Sequence, residues 1–165
     1  MVGSNSCFLQ ANNASMNARD GIYLEQLAQG EVQNNTALKN GQGIYIQSSG
    51  NLSITDNVLG ENSRFGLRMS NSQNCSVTGN NIHDNQIAGA NLVDCFDNLL
   101  YHNIFANNGI QNAADNGQNR WDGGPETGGN YWSDHDVSGN PAGAARQIPG
   151  GGVDRYPFRD PGGWL

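Results

Sequence analysis

The sequence contains few positively charged residues. Lys and Arg together number 8 against 15 Asp and Glu, which gives a formal net charge of −7 over 165 residues. A nucleic-acid interface needs clustered basic residues to neutralise phosphates, and this composition does not supply them. No apolar run is long enough to span a membrane, and residues 1–5 lack the character of a signal peptide. The sequence therefore predicts no nucleic-acid partner and no membrane span.

Groups that bind metals or form disulfides are also scarce. The 3 cysteines form an odd set without CxxC spacing, and Cys75 and Cys95 fall at different positions of the repeat described below. This pattern favours buried free thiols over a disulfide framework. The histidines are not related by the repeat either, and Met69 falls at a core position rather than a ligand position. We predict no metal site and no cofactor.

Asparagine and glycine, in contrast, are abundant, with 25 and 23 residues. They mark a repeat of 22 to 23 residues across 21–108, in which each of four copies starts with glycine and an apolar run. Two asparagine positions recur in step, at Asn12, Asn35, Asn57, Asn80 and Asn103, and at Asn17, Asn40, Asn62, Asn85 and Asn108. Self-similarity at this period is typical of a solenoid, in which each copy buries its apolar face against its neighbours.

Short alternating apolar runs, such as 44–46 and 52–54, predict strands rather than helices. Three short strands and three turns per copy correspond to one coil of a parallel β-helix. We therefore predict an all-β fold, a single-stranded parallel β-helix of about four to five coils. Its inward ladders are Ile22/Ile44/Leu67/Ala90, Leu24/Ile46/Met69/Leu92, Val32/Ile54/Val77/Leu100 and Ala37/Leu59/Ile82/Phe105.

The recurring asparagines are expected to lie at turns. Asparagine tolerates left-handed backbone conformations, and its amide can bond to the coils above and below. Four Asn-X-Ser/Thr sequons, at Asn13, Asn34, Asn51 and Asn74, leave glycosylation open as an alternative role for some asparagines.

The chain divides at residue 108 within a single domain. Residues 1–108 are predicted to form the coils, the first of them partial, and residues 109–165 a C-terminal cap and tail. All three tryptophans, Trp121, Trp132 and Trp164, follow this division, which favours rings that plug the open end of the core; a sugar-stacking platform is the alternative. Because a repeat is already under way by Leu9, we expect the chain to be a fragment of a longer secreted protein.

Three motifs near the C-terminus carry a family resemblance. They are NRWD at 119–122, GNYWSD at 129–134 and DRYPF at 154–158. They resemble the C-terminal end of NosD-like right-handed β-helix proteins, in the broad CASH class of carbohydrate-binding and sugar-hydrolase domains. The resemblance implies a right-handed coil, in agreement with the crossover preference, and an extracellular, cell-surface or periplasmic location. It also implies an association with copper, for which these residues supply no ligand set.

The outward positions of the first strand form the candidate binding site. Tyr23, Tyr45, Arg68 and Asn91 recur one copy apart. Aromatic rings beside a guanidinium and an amide can stack on sugar rings and bond to hydroxyls or carboxylates. We predict polysaccharide as the ligand of this face; an ordinary solvated sheet face is the alternative.

Catalytic groups are less clearly indicated. Glu61 and Asp84 stack one coil apart and could approach the separation of a retaining glycosidase pair, although Lys39 would neutralise Glu61 at this turn. Arg68 with Tyr45 is the only pair on the strand face that suits an eliminating lyase. No acidic cluster accompanies it that would hold calcium.

Three functions therefore remain open. The leading hypothesis is a secreted or cell-surface module that binds polysaccharide, as part of a carbohydrate-active protein. The alternative is a structural spacer or assembly module that associates through the N-terminal coil or through a lateral face carrying Leu99 and Tyr101. A further alternative is a lyase, epimerase or hydrolase that acts on acidic glycans.

Overall fold

The computed structural model describes all residues, 1–165, and consists of short β-strands without a helix. None of its elements is therefore a helix long and apolar enough to cross a membrane. In chain order the strands are β1 (Cys7–Gln10), β2 (Asp20–Glu25), β3 (Gly30–Gln33), β4 (Thr36–Leu38), β5 (Gln42–Gln47), β6 (Leu52–Thr55), β7 (Val58–Gly60), β8 (Phe65–Ser70), β9 (Ser76–Thr78), β10 (Asn81–His83), β11 (Ala88–Val93), β12 (Phe96–Tyr101), β13 (Ile104–Ala106), β14 (Gln111–Asp115), β15 (Gln118–Arg120), β16 (Tyr131–Trp132), β17 (Arg146–Gln147) and β18 (Val153–Asp154).

The strands form three parallel sheets, and each coil contributes one strand to each sheet. Sheet one has the order β2-β5-β8-β11-β14, sheet two β1-β3-β6-β9-β12-β15, and sheet three β4-β7-β10-β13-β16. Together they make a β-solenoid of about five turns, which confirms the predicted parallel β-helix. Only β17 and β18 pair antiparallel, outside the coils.

The predicted inward ladders are confirmed as the core. Strand pairing aligns Ile22 with Ile44 and Ile44 with Leu67, one coil apart. Residues of all four ladders belong to one cluster of 25 buried apolar side chains. Because successive strand residues point to opposite faces, this alternation leaves the intervening residues on the outer surface of each sheet.

The asparagine ladders run through the interior as continuous hydrogen-bonded stacks. Asn57, for example, donates its backbone N–H and its side-chain Nδ2–H to Oδ1 of Asn80, at 3.0 and 2.9 Å. Asn80 Nδ2 in turn donates to Oδ1 of Asn103 and to the Ile54 carbonyl, both at 2.9 Å. These buried amides therefore bond to the coil above and the coil below; Asn40, whose Nδ2 has no partner, is the exception.

The asparagines lie at the turns, as expected, but do not themselves adopt the left-handed backbone conformation. The residue immediately before each of them has positive φ instead, for example Lys39 at 58°, Glu61 at 54° and Asp84 at 52°. The left-handed residue makes the turn, and the next residue, asparagine, then directs its amide inward to bridge the coils. The position before the ladder accepts diverse residues because its side chain points to solvent.

The cap closes the C-terminal end of the core. β14, β15 and β16 add to the three sheets beyond Asn108, where the spacing of the repeat is lost. Trp121 and Trp132 are almost fully buried, and the Trp132 ring stacks on Phe105 with centroids 4.4 Å apart. Their indole N–H groups donate to the buried carboxylates of Asp115 and Asp154, each at 2.8 Å.

Candidate ligand-binding groove

The four predicted ligand-binding residues lie side by side on the outer face of sheet one. The register pairs Tyr23 with Tyr45, Tyr45 with Arg68, and Arg68 with Asn91, on β2, β5, β8 and β11. The residues that flank them along the strands point inward and are buried. The fold therefore brings these side chains together because they occupy one position of the repeat.

Contacts between neighbouring coils hold the aromatic side chains in place. The rings of Tyr23 and Tyr45 are 5.3 Å apart between centroids, and Arg68 Cζ lies 5.0 Å from the centroid of Tyr45. The Tyr45 hydroxyl donates to Gln47 Oε1 at 2.8 Å and shares a hydrogen bond of 3.0 Å with Ser70 Oγ. These contacts fix the orientation of Tyr45, so its ring is preorganised for stacking.

The Tyr23 phenol remains neutral at physiological pH. Desolvation raises its pKa above the ordinary value, and the neighbouring carboxylate of Glu25 raises it further. The hydroxyl therefore keeps its proton across the physiological range, and it donates to Gln47 Oε1 at 3.4 Å.

An open groove of about 610 Å³ runs across this face. A volume of this size falls within the range of sites that hold small molecules or short polymer segments. Asn91 lies one coil beyond the groove and does not line it. The lining residues are Ala18, Arg19, Asp20, Tyr23, Gly41, Gln42, Tyr45, Gln47, Arg64 and Arg68.

Sequence reasoning missed the other polar members of the groove. Arg19 and Arg64 lie in the turns before β2 and β8, and Gln42 is the first residue of β5. The alternation of strand residues does not predict where a turn side chain points. The repeat spacing could have indicated the two arginines, because residues 19, 41 and 64 are 22 and 23 residues apart and so occupy one position of the coil.

Phe65 forms the link between two of the arginines. Arg64 Cζ lies 5.4 Å from its ring centroid and Arg68 Cζ lies 5.7 Å from it. Gln42, the neighbour of Phe65 on sheet one, donates from Nε2 to Asp20 Oδ1 at 2.6 Å. The groove thus combines aromatic rings, guanidinium groups, two amides and one carboxylate.

The candidate carboxylates Glu61 and Asp84 lie outside the groove, at left-handed turn positions. Glu61 is 3.6 Å from Lys39 Nζ, and Asp84 is 2.8 Å from His83 Nδ1. About half of each carboxylate side chain is exposed to solvent. Each acid thus has a cationic or imidazole neighbour, and neither shares a cleft with Tyr45 and Arg68.

Most of the chain matches the profile of one protein family. The profile of the family described as "Periplasmic copper-binding protein (NosD)" matches residues 1–137. The chain belongs to the NosD family. The matched segment of this NosD-family chain includes every residue of the groove, and the predicted family resemblance is confirmed. No curated protein and no solved structure matches the chain.

The donor groups of this NosD-family chain do not fit a copper centre. No three His, Cys, Asp or Glu side chains come together in a group that could hold a metal ion. His102 and His135 contact backbone carbonyls, at 2.7 and 3.0 Å. Met69 is fully buried in the core, and burial raises the pKa of the Cys75 thiol to about 11, which disfavours the thiolate that would bind metal.

Proposed function

We propose that this chain is a periplasmic or cell-surface β-helix module that binds polysaccharide in the groove on sheet one. The observation that carries the proposal is the joint placement of two tyrosine rings and an arginine on one open, preorganised face. Sugar rings present apolar C–H faces that stack on aromatic rings, and their hydroxyls exchange hydrogen bonds with amide and guanidinium groups. An open groove, unlike a closed pocket, can accept an internal segment of a polymer.

The geometry favours binding over catalysis. Glu61 and Asp84 each contact a neighbouring basic side chain at an exposed turn, away from the groove. Within the groove, Tyr45 and Arg68 contact each other, and the Tyr45 hydroxyl is engaged with Gln47 and Ser70. A lyase, epimerase or hydrolase activity stays a prediction, and no contact in the structure supports it.

One observation favours the alternative function of an assembly module. The outer edges of the first strands are only partly covered, since isolated bridges join Val2 to Glu25 of β2 and Asn13 to Thr36 of β4 and none joins β1 on its outer side. Open strand edges can pair with a second copy of the chain. Under this alternative the chain self-associates through its N-terminal coil. Sedimentation at rising concentration tests it, since a constant monomer would contradict it.

Copper belongs to the family's description, and the residues of the groove are not suited to bind it. The groove contains arginines, glutamines and tyrosines, none of which is a favoured copper ligand. The histidine and thiol groups are dispersed across the coils and the cap.

Affinity electrophoresis of the pure protein in gels containing neutral or acidic polysaccharides tests the proposal. Wild-type protein should be retarded by at least one polymer, and Tyr45→Ala should abolish the retardation. Phe96→Ala is the matched control, because Phe96 is 47% exposed on sheet two, away from the groove. Circular dichroism should show that both variants keep the wild-type fold.

The same samples separate the three functions. Retardation without release of reducing or unsaturated ends supports a binding module. Release that disappears in Tyr45→Ala would show an enzyme in the groove. Absence of retardation across the whole panel would overturn the proposal and favour the assembly module.

A further inference from the structure

The groove concentrates positive charge on an acidic protein. Three of the seven arginines in the chain line it, namely Arg19, Arg64 and Arg68, whereas Asp20 is its only acidic lining residue. The whole chain carries a formal charge of −7. A cluster of cations on an acidic background attracts and orients an anion locally.

These three arginines have no acidic partner within the protein. The ion pairs of the chain involve other basic residues, namely Lys39, His83, Arg146, Arg155 and Arg159. The Nε of Arg68 is buried and makes no hydrogen bond. A guanidinium group has five N–H donors and no acceptor, so its unpaired edge is suited to a carboxylate or another oxyanion.

Aromatic contacts restrict how these guanidinium groups can bind. The faces of Arg68 pack near Tyr45 and Phe65, and Arg64 packs near the same Phe65 ring. Stacking occupies the faces of the guanidinium plane and leaves its N–H edges for in-plane hydrogen bonds. Because Phe65 itself is buried, it provides a fixed support for both cations.

A second unpaired atom indicates that the ligand also carries a hydroxyl. Gln42 is 6% exposed and lines the groove, and its Oε1 is buried without a donor. Its Nε2 is already bound to Asp20, which fixes Oε1 as the free end of the amide. A buried acceptor that lacks a donor is costly, and a ligand hydroxyl would satisfy it.

We infer that the groove binds a carboxylate-bearing glycan, a polyuronate. Its acid groups are held by the guanidinium edges of Arg64 and Arg68, its hydroxyls reach Gln42 Oε1, and a sugar ring stacks on Tyr23 and Tyr45. A neutral glycan would leave the arginines unpaired, and a simple anion would leave Gln42 and the tyrosines unused. This inference rests on the proposed polysaccharide-binding function and specifies its substrate class.

Titration calorimetry with two forms of one polymer tests the inference. Polygalacturonate carries free carboxylates, whereas its fully methyl-esterified form has the same sugar backbone without the charge. Wild-type protein should bind the acid form at least about tenfold more tightly, since the ester cannot form the charge-assisted hydrogen bonds that a carboxylate makes with a guanidinium edge. Arg64→Ala should remove most of this preference.

Arg120→Ala is the charge-matched control. Arg120 is exposed on β15 of sheet two and forms no ion pair, so its loss changes the net charge equally but leaves the groove intact. Binding by Arg120→Ala should equal that of the wild type. An equal loss in both variants would show general electrostatic attraction and overturn the inference.

Other outcomes distinguish this inference from the proposed function. Equal binding of the two polymer forms would overturn acid recognition while the polysaccharide function stands. Tighter binding of dextran sulfate or of a polyuridylate strand than of polygalacturonate would overturn the carboxylate assignment. If no polysaccharide binds, both the proposed function and this inference are overturned.

Discussion

At the scale of single residues, hydrogen bonds within the asparagine ladders allow buried amides, which would destabilise the fold if unpaired, to hold neighbouring coils together. Each ladder asparagine accepts two N–H groups from the coil on one side and donates to the coil on the other, as Asn57, Asn80 and Asn103 do. The ladder amides from Asn57 to Asn103 are buried and paired, whereas Asn40 Nδ2 is buried without a partner. Because the ladders bond side chain to backbone, they also fix the register between coils.

We predict that Asn80→Ala destabilises the fold by about 3 kcal/mol. The substitution leaves the backbone N–H of Asn57 and the Ile54 carbonyl buried without partners, and each such group costs about 1–3 kcal/mol. Urea unfolding measures the loss. The control is Asn12→Ala at the exposed end of the same ladder, where water replaces the lost bonds and the cost should stay below about 1 kcal/mol. Similar losses in both variants would contradict this explanation.

Asp154 is a buried acid of the cap whose ionisation affects stability. Its carboxylate is fully buried and accepts hydrogen bonds from Trp132 Nε1 and the Asn130 backbone N–H at 2.8 Å, and from the Tyr156 backbone N–H at 3.1 Å. Burial raises the pKa of Asp154 above its ordinary value, against the opposing effect of these donors. The folded chain therefore retains this proton at pH values where the unfolded chain has lost it.

This raised pKa determines how Asp154 affects stability as the pH changes. As the pH rises from about 4, the unfolded chain releases the proton first, so the contribution of Asp154 to the free energy of unfolding falls until the folded pKa is passed. Because the side chain of Asp154→Asn cannot titrate, the free energy of unfolding of this variant lacks this decrease. We expect the stability of the wild type relative to Asp154→Asn to decrease with rising pH in urea unfolding. A relative increase would show that the donors, rather than burial, control the pKa.

At the scale of elements, the cap stabilises the last coil through its tryptophans. Trp132 stacks on Phe105 at 4.4 Å, and Arg146 Cζ lies 4.7 Å from the Trp132 ring. Trp121 packs 5.8 Å from Trp132. These rings cover the end of the apolar ladders, which would otherwise face water.

Loss of a core tryptophan should therefore cost far more than loss of the peripheral one. We predict that Trp132→Ala lowers the free energy of unfolding by about 3–5 kcal/mol. Trp164→Ala should lower it by only about 1 kcal/mol, because Trp164 is partly exposed and stacks chiefly on His102 at 5.0 Å. Urea unfolding of both variants measures the difference. Equal effects would contradict a closing role for Trp132.

The coils could be predicted from the sequence because apolar residues and asparagines recur in register. The last coil could not, because a longer connection separates Asn103 from its ladder partner Asn130, 27 residues away. The ladder continues there although the spacing is lost. A further stack that joins Asn98 to Asn119 was also missed, since these residues lie only 21 apart and have no earlier members.

The candidate site was predictable only where it lies on strands. Tyr23, Tyr45 and Arg68 share one position of the repeat, which places them next to one another on adjacent strands. The alternation of strand residues then predicts that their side chains point outward. Arg19 and Arg64 lie in turns, where backbone geometry and contacts such as that between Arg64 and Phe65 determine direction. That information exists only in the folded chain.

At the scale of the whole molecule, the solenoid displays a rigid ladder on which side chains are spaced by about 4.8 Å. The core and the asparagine stacks keep neighbouring strands in register, so groups on adjacent coils hold a fixed separation. The negative overall charge and the arginine-lined groove together direct anions to one face. A polymer with regularly spaced acid groups complements such a surface.

Arginine modification by phenylglyoxal, with and without polygalacturonate, tests the central claim most directly. Mass spectrometry reports the extent of modification at each arginine in the folded protein. We predict that the polymer protects Arg19 and Arg64 in the groove and leaves Arg120 on sheet two unprotected. Protection of Arg120 to the same extent, or no protection of Arg19 and Arg64, would contradict the claim that the groove on sheet one is the binding site.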